Sequence, residues 1–228
     1  MNKLILPTKN YLSLACLLFI ILAASACSNE NCIENDRDSK IMAEQKAVLE
    51  ELNGFATYYM NGVYQFYNPQ SDYVNLDSLD LYILQYQFPT AIQTRSGPYA
   101  DTSIDYKSYF SERLSKEGYN LISSFIYRND ISIEDFLELQ KQVSLLGEAD
   151  RKQLDFIMDA TNIIYDNIRN NLADKNITTR SRTGCNIATT VASFAAGAIW
   201  GAAFGGPVGV AVSLAWSIAG AIAAQETC

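Results

Sequence analysis

The sequence predicts an all-α protein, a helical domain of about six helices followed by a C-terminal Gly/Ala-rich helical hairpin. Apolar residues recur at helical spacing, most clearly at Leu154, Ile157, Met158, Thr161, Ile164, Tyr165 and Ile168. Capping and breaking residues separate the periodic stretches, among them Ser39, Asn68-Pro69, Pro89, Ser132 and Gly147. Finally, no charged side chain occurs between Cys185 and Glu226, and small residues return there at every fourth position. Those residues are Ser193, Gly197, Gly201, Gly205, Gly209, Ser213, Ser217 and Ala221, and on a helix they share one face.

The chain opens with Lys3 and Lys9, an apolar run from Tyr11 to Leu22, and small residues from Ala23 to Ala26 ahead of Cys27. This is the layout of a secretory signal, with residues 1–26 as the peptide. Ser25, Ala26 and Cys27 resemble the end of the lipobox of bacterial lipoproteins, with Ala24 standing where Leu is commonest. The resemblance implies acylation of Cys27 and a chain exported to, and anchored in, a membrane, at the outer membrane or cell surface of a Gram-negative bacterium. An ordinary signal peptide cut near Ala26, or an uncleaved anchor, is the alternative, and export follows from each.

Residues 27–38 are polar and charged with little that is apolar, the composition of a solvated tether. Acidic residues soon after the lipidated Cys are similar to surface-export signals of Bacteroidetes lipoproteins. The formal net charge is -8, and losing Lys3 and Lys9 with a signal peptide makes the chain more acidic still. Scattered basic residues on an acidic chain offer no footprint for phosphate backbones, which argues against a nucleic-acid partner. Anionic lipid headgroups gain no electrostatic attraction either, so membrane contact rests on the acyl group and on apolar surface.

The helical domain is read as residues 39–173. Ser39 is expected to cap a helix carrying Ile41, Val48, Leu52, Phe55 and Tyr59 on one stripe, with a kink at Asn53-Gly54. Asn68-Pro69 marks a turn, and 77–88 reads as a helix although its pattern also alternates like a strand. Residues 90–102 read as a loop, 103–116 as a helix stopped by Gly118, and 121–127 as a short apolar helix or turn. Ser132 caps a helix with Glu134 near its start that ends at Gly147, and a long helix covers 148–172.

Nine aromatic residues, Tyr58, Tyr59, Tyr64, Phe66, Tyr67, Tyr73, Tyr82, Tyr86 and Phe88, crowd the first half of this domain. They either pack the bundle with hydroxyls toward water or form an exposed groove for a ligand, glycan or partner. Asp77, Ser78 and Leu79 resemble the O-glycosylation sequence of Bacteroidetes periplasmic proteins, which implies a surface position for Ser78.

The chain contains no histidine. That removes Ser-His and Cys-His nucleophile pairs, the commonest general base and the usual catalytic zinc sites. Carboxylate pairs such as Glu134 with Asp135 or Asp77 with Asp80 remain, but no phosphate-binding or calcium loop accompanies them. The expectation is a protein that is not an enzyme and carries no cofactor or metal.

Residues 174–184 turn polar and basic, with Arg180 and Arg182 as sites for a trypsin-like protease in an exposed linker. The module 185–228 divides at Gly205-Gly206-Pro207 into arms 187–204 and 208–224. As helices the arms run roughly 25–27 Å, just short of a bilayer core of about 30 Å. A hairpin brings Cys185 beside Cys228, where they form a disulfide or remain two free thiols bracketing the module; Cys32 is then the odd thiol. Trp200 and Trp216 fall within the arms, away from headgroup level where Trp is enriched.

Gly197, Gly201, Gly205 and Gly209 resemble the packing face of glycine-zipper envelope proteins and of membrane-active bacteriocin peptides, although the segment lacks the lysines usual in the latter. The resemblance implies close helix packing, self-association and insertion of the 187–224 hairpin into a membrane. Two functions therefore stand: an envelope lipoprotein whose hairpin inserts in or assembles on membranes, and a non-catalytic binding or structural lipoprotein whose hairpin is buried core.

Overall fold

A computed structural model of the chain describes residues 30–87, 105–175, 177, 180–192 and 206–228. The all-α expectation holds. Eight helices are described: α1 (Glu30–Phe66), α2 (Leu76–Ile83), α3 (Tyr106–Ser111), α4 (Lys116–Ser123), α5 (Ile133–Val143), α6 (Glu148–Asp174), α7 (Arg182–Ala192) and α8 (Gly206–Thr227). One short antiparallel pair, β1 (Tyr67–Asn68) and β2 (Tyr73–Val74), sets Tyr67 opposite Val74 and Asn68 opposite Tyr73. The chain divides into two compact units, residues 1–46 and 47–228.

Helix α1 begins at Glu30, upstream of the expected Ser39 cap, so most of the stretch read as tether has helical backbone. No Gly or Pro lies between Glu30 and Asn53, so nothing in the backbone chemistry stops the helix there. Its expected stripe is buried at Val48, Leu52, Phe55 and Tyr59, and continues through Met60 and Val63. Helix continues through Gly54, where a side chain would crowd the Tyr86 hydroxyl at 3.2 Å. The Asn68-Pro69 turn is the tip of the β pair, and Asn68 Oδ1 accepts from the Gln70 amide at 2.9 Å.

Helix α2 is shorter than 77–88, and Asn75 caps it through the Ser78 amide at 3.1 Å. The helix expected over 103–116 with Gly118 as its stop is two helices, and Gly118 lies inside the second. The break falls at Ser115, whose hydroxyl accepts from the Gly118 amide at 3.1 Å and donates to Asp150. Asp150, buried at the start of α6, also accepts from the Ser115 amide at 2.9 Å. Its Oδ2 lies 2.6 Å from where a Cβ on residue 118 would sit. Gly118 is thus demanded by the approach of α6, a long-range contact that chain order does not reveal.

Ser132 caps α5 as expected, with Glu134 in its first turn and Asp135 as the reciprocal partner of a capping box. The helix ends at Val143, and Gly147 serves as N-cap of α6. All seven α6 positions read as a core face are buried. Phe156, Ala160 and Leu172 are buried too, so the core wraps further around α6 than one stripe.

Helix α8 packs chiefly on α6 and α7. Its buried residues join those of α1, α3, α5 and α6 in one hydrophobic core within 47–228. The helical body and the C-terminal module, separate by composition, therefore share that core.

Candidate functional site: the disulfide-closed C-terminal hairpin

Helix α7 starts at Arg182, inside the stretch read as linker, and α6 runs to Asp174. Arg180 is exposed with a left-handed backbone (φ 66°). Arg182 is 85% exposed, yet its Nε pairs with Asp72 Oδ2 at 2.8 Å. Both residues offered for processing are accessible, and one belongs to a clasp.

That clasp ties the β turn to the first turns of α7. Asp72, itself left-handed (φ 56°), accepts from the Tyr67 hydroxyl through Oδ1 and from Asn186 Nδ2 through its carbonyl at 2.6 Å. The Tyr67 hydroxyl also lies 3.1 Å from Thr183 Oγ1. Asp72 therefore places a carboxylate at a helix N-terminus, where the partial positive charge of the free amides favours it. Its hydrogen bond raises the Tyr67 hydroxyl above the ordinary tyrosine range, since ionising the phenol would lose that bond and set two anions together.

Cys185 and Cys228 form the expected disulfide, with Cα atoms 4.7 Å apart across a separation of 43 residues. Cys185 sits within α7 and Cys228 just beyond α8, so the bond closes the open end of the hairpin. Of the glycines expected to pack helices, Gly197, Gly201 and Gly205 lie outside the described residues, as do Cys27, Trp200 and Phe88. Gly209 is buried in α8.

Among the described residues of the hairpin, a contact that needs a glycine falls at Gly220, one position off the small-residue ladder. A Cβ there would collide with the backbone of Ala192, closer than van der Waals contact permits. The pattern Ser213, Ser217, Ala221 points to a neighbouring face, and only the packed α7 identifies Gly220 as the point of approach.

Trp216, 2% exposed, lies at the centre of this packing. Its Nε1 donates to the Val191 carbonyl of α7 at 3.0 Å, and its ring meets Phe55 and Tyr59 of α1 edge-on at 5.8 and 5.2 Å. The Tyr59 hydroxyl donates to the Thr190 carbonyl at 3.3 Å, and burial drives its pKa far up. Tyr106 of α3 shares a 2.6 Å hydrogen bond with Ser213, and the Tyr165 hydroxyl of α6 donates to Glu226 Oε2 at 2.6 Å. Polar groups of this largely apolar hairpin, Thr190, Ser213 and Glu226 among them, thus find partners in the body, which apolar composition alone does not announce.

Comparison with protein-family models, curated proteins and solved structures gives no match. The geometry is therefore the guide.

The carboxylate pairs do not assemble into an acid-base centre among the described residues. Asp135 is engaged by the Ser132 amide at 3.2 Å and by Arg128 at 2.8 Å, and these bonds lower its pKa. Partial burial and then the neighbouring Asp77 raise Asp80. No group of three or more potential metal ligands occurs among the described residues. Ser78 is half-buried on α2 while Leu79 beside it is core.

Most of the aromatic cluster is packing. Tyr58 stacks on Tyr82 at 4.3 Å, Phe55 meets Tyr86 edge-on at 5.1 Å, and the Tyr86 hydroxyl reaches Glu51 at 2.5 Å. Gly62 of α1 leaves the space occupied by the Tyr82 ring. Tyr73, 55% exposed, stands apart from that packing.

Proposed function

We propose that this chain is a non-catalytic binding or structural lipoprotein of a bacterial cell envelope, tethered through Cys27, whose C-terminal hairpin is an integral part of its folded core. One observation carries the choice between core and membrane. Pro207–Thr227 is long and apolar enough to cross a bilayer, but 72% of its most apolar window is buried within the protein, with Trp216 hydrogen-bonded to the opposite arm. Insertion would take Trp216 away from Phe55 and Tyr59 of the body and expose those side chains to water, an apolar loss of about 1.5–3 kcal/mol for each. The disulfide suits an oxidising compartment outside the cytoplasm.

Limited trypsin cleavage at Arg180 tests this reading. Both disulfide cysteines lie beyond the cut, so no covalent bond, but only burial, the Asp72 clasp and the hydrogen bonds from Tyr59, Tyr106 and Tyr165, would hold the 181–228 fragment to the body. The expected result is a nicked protein that stays one soluble particle and unfolds in one transition. A fragment that leaves for the detergent phase while the body stays folded overturns the buried-core reading in favour of an inserting hairpin. Metabolic labelling with an alkynyl fatty acid tests the anchor: incorporation is expected, and its persistence in Cys27→Ser rules out lipidation there.

A further inference from the structure

We infer that the outward face of α2 is a docking surface for a basic amphipathic helix of a partner protein. Helix α2 buries Leu79 and Ile83 against the core. At 3.6 residues per turn, Leu76, Asp77, Asp80, Leu81 and Leu84 project within about 140° of one another on the other side. Leu84, the C-cap, keeps helical backbone angles (φ -62°, ψ -17°) and so belongs to that face. Leu76 is 51% exposed, Leu81 65% and Leu84 37%. A single exposed leucine needs no account, but three on one face of a two-turn helix form an apolar patch without a partner.

The face is held in place before anything docks on it. The Tyr82 ring stacks on Tyr58 of α1 at 4.3 Å and fills the space left by Gly62. The Tyr58 hydroxyl also donates to the Tyr82 carbonyl at 2.9 Å. A helix seated this firmly loses little freedom when a second helix packs on it.

Charge selects the occupant. Asp77 and Asp80 flank the leucines one turn apart, and among the described residues neither is in an ion pair. Their mutual repulsion contributes, after partial burial, to the raised pKa of Asp80. A two-fold contact between copies of this face would set these carboxylates against themselves. Anionic lipid headgroups would be repelled in the same way. A helix carrying leucine-like side chains beside Lys or Arg meets both the patch and the unanswered charge. The inference rests on the reading of the chain as a binding protein and not on its anchor or on the place of its hairpin.

The test uses the disulfide-bonded, unacylated chain from Cys27 onward and fluorescence anisotropy. The probe is a labelled amphipathic peptide of leucine and lysine at helical spacing, and its counterpart carries glutamate in place of lysine. A two-turn face offers a small interface, so the lysine peptide should bind with a Kd of about 1–100 μM and the glutamate peptide should not bind. Leu81→Ser should weaken the lysine peptide at least about fivefold with little change in Tm, because the side chain is largely in water when the face is free. Asp77→Lys should weaken the lysine peptide and admit the glutamate peptide. Leu145→Ser, at a 78% exposed position in the turn after α5, should leave the affinity unchanged. No binding below about 100 μM, equal binding of the two peptides, or an equal loss in Leu145→Ser overturns the assignment. Self-association in sedimentation, or binding to phosphatidylglycerol vesicles, that Leu81→Ser abolishes would give the face to a second copy or to lipid and overturns it as well. The trypsin and acylation experiments can succeed while this one fails, so the two readings are tested separately.

Discussion

Removing the disulfide is the sharpest test of how the C-terminal hairpin relates to the rest of the protein. Replacing Cys185 and Cys228 by Ser frees a chain segment whose ends are 43 residues apart. In the chain-entropy treatment, a closed loop of that length restricts the unfolded ensemble by about 13 cal/mol/K, or roughly 4 kcal/mol at 25 °C. For a cooperative unit of the size of residues 47–228, each kcal/mol shifts Tm by about 2–4 °C, so a drop of roughly 8–16 °C is expected. Because Trp216 packs on Phe55 and Tyr59, the loss should appear in one transition, seen equally by tryptophan fluorescence and by far-ultraviolet circular dichroism. Calorimetry and both optical probes on the oxidised and double-Ser proteins measure it. Two separated transitions, with the helical body melting at an unchanged temperature, would refute a shared core. A shift under about 2 °C would refute the loop-closure argument itself.

Three further outcomes follow from particular contacts. Gly220→Ala gains up to about 1 kcal/mol of helix propensity but forces a Cβ into the Ala192 backbone at an overpacking cost of about 1–3 kcal/mol, so a net loss is expected in urea denaturation. Asp72→Ala places a Cβ-bearing residue without a stabilising side chain in a left-handed turn and frees Tyr67 and Arg182. It should cost about 1–2 kcal/mol and speed trypsin cleavage after Arg180, whereas Asp72→Asn, tolerant of that backbone, should cost less. The bonds from Ser132 and Arg128 depress the Asp135 pKa below its ordinary 3.8, so their stabilisation is present above that value and is lost as pH falls through the depressed one. Urea midpoints of the parent should therefore decline in that acid range, with Asp135→Asn showing a flatter decline.

Much of the architecture was legible from local pattern. The stripe of α1 and the seven-residue face of α6 were readable because a helix repeats its neighbours at a fixed period, so burial is written along the chain. Asn68-Pro69 and Ser132 were readable because turns and caps are satisfied within a few residues. The failures share a cause. Gly118 looked like a helix stop because a glycine's local meaning is to break helices, while its actual partner, Asp150, lies on another helix. Helix α1 started early because polar composition does not by itself end a helix when no breaker intervenes.

At the C-terminus the same division is clearest. The sequence by itself determined that residues 185–228 make a small-residue hairpin, uncharged up to Glu226 and bracketed by two cysteines that can meet, since length, composition and a Gly-Gly-Pro break suffice for that. It could not determine what surrounds the hairpin, because a helix of Ala, Val, Gly and Ile satisfies its own backbone and is equally suited to lipid and to a protein core. The tertiary structure packs the hairpin against the body, setting the Trp216 indole against Phe55 and Tyr59, Ser213 against Tyr106 and Glu226 against Tyr165. Those partners come from elements far apart in the chain, and the specificity of the hairpin's place resides in them.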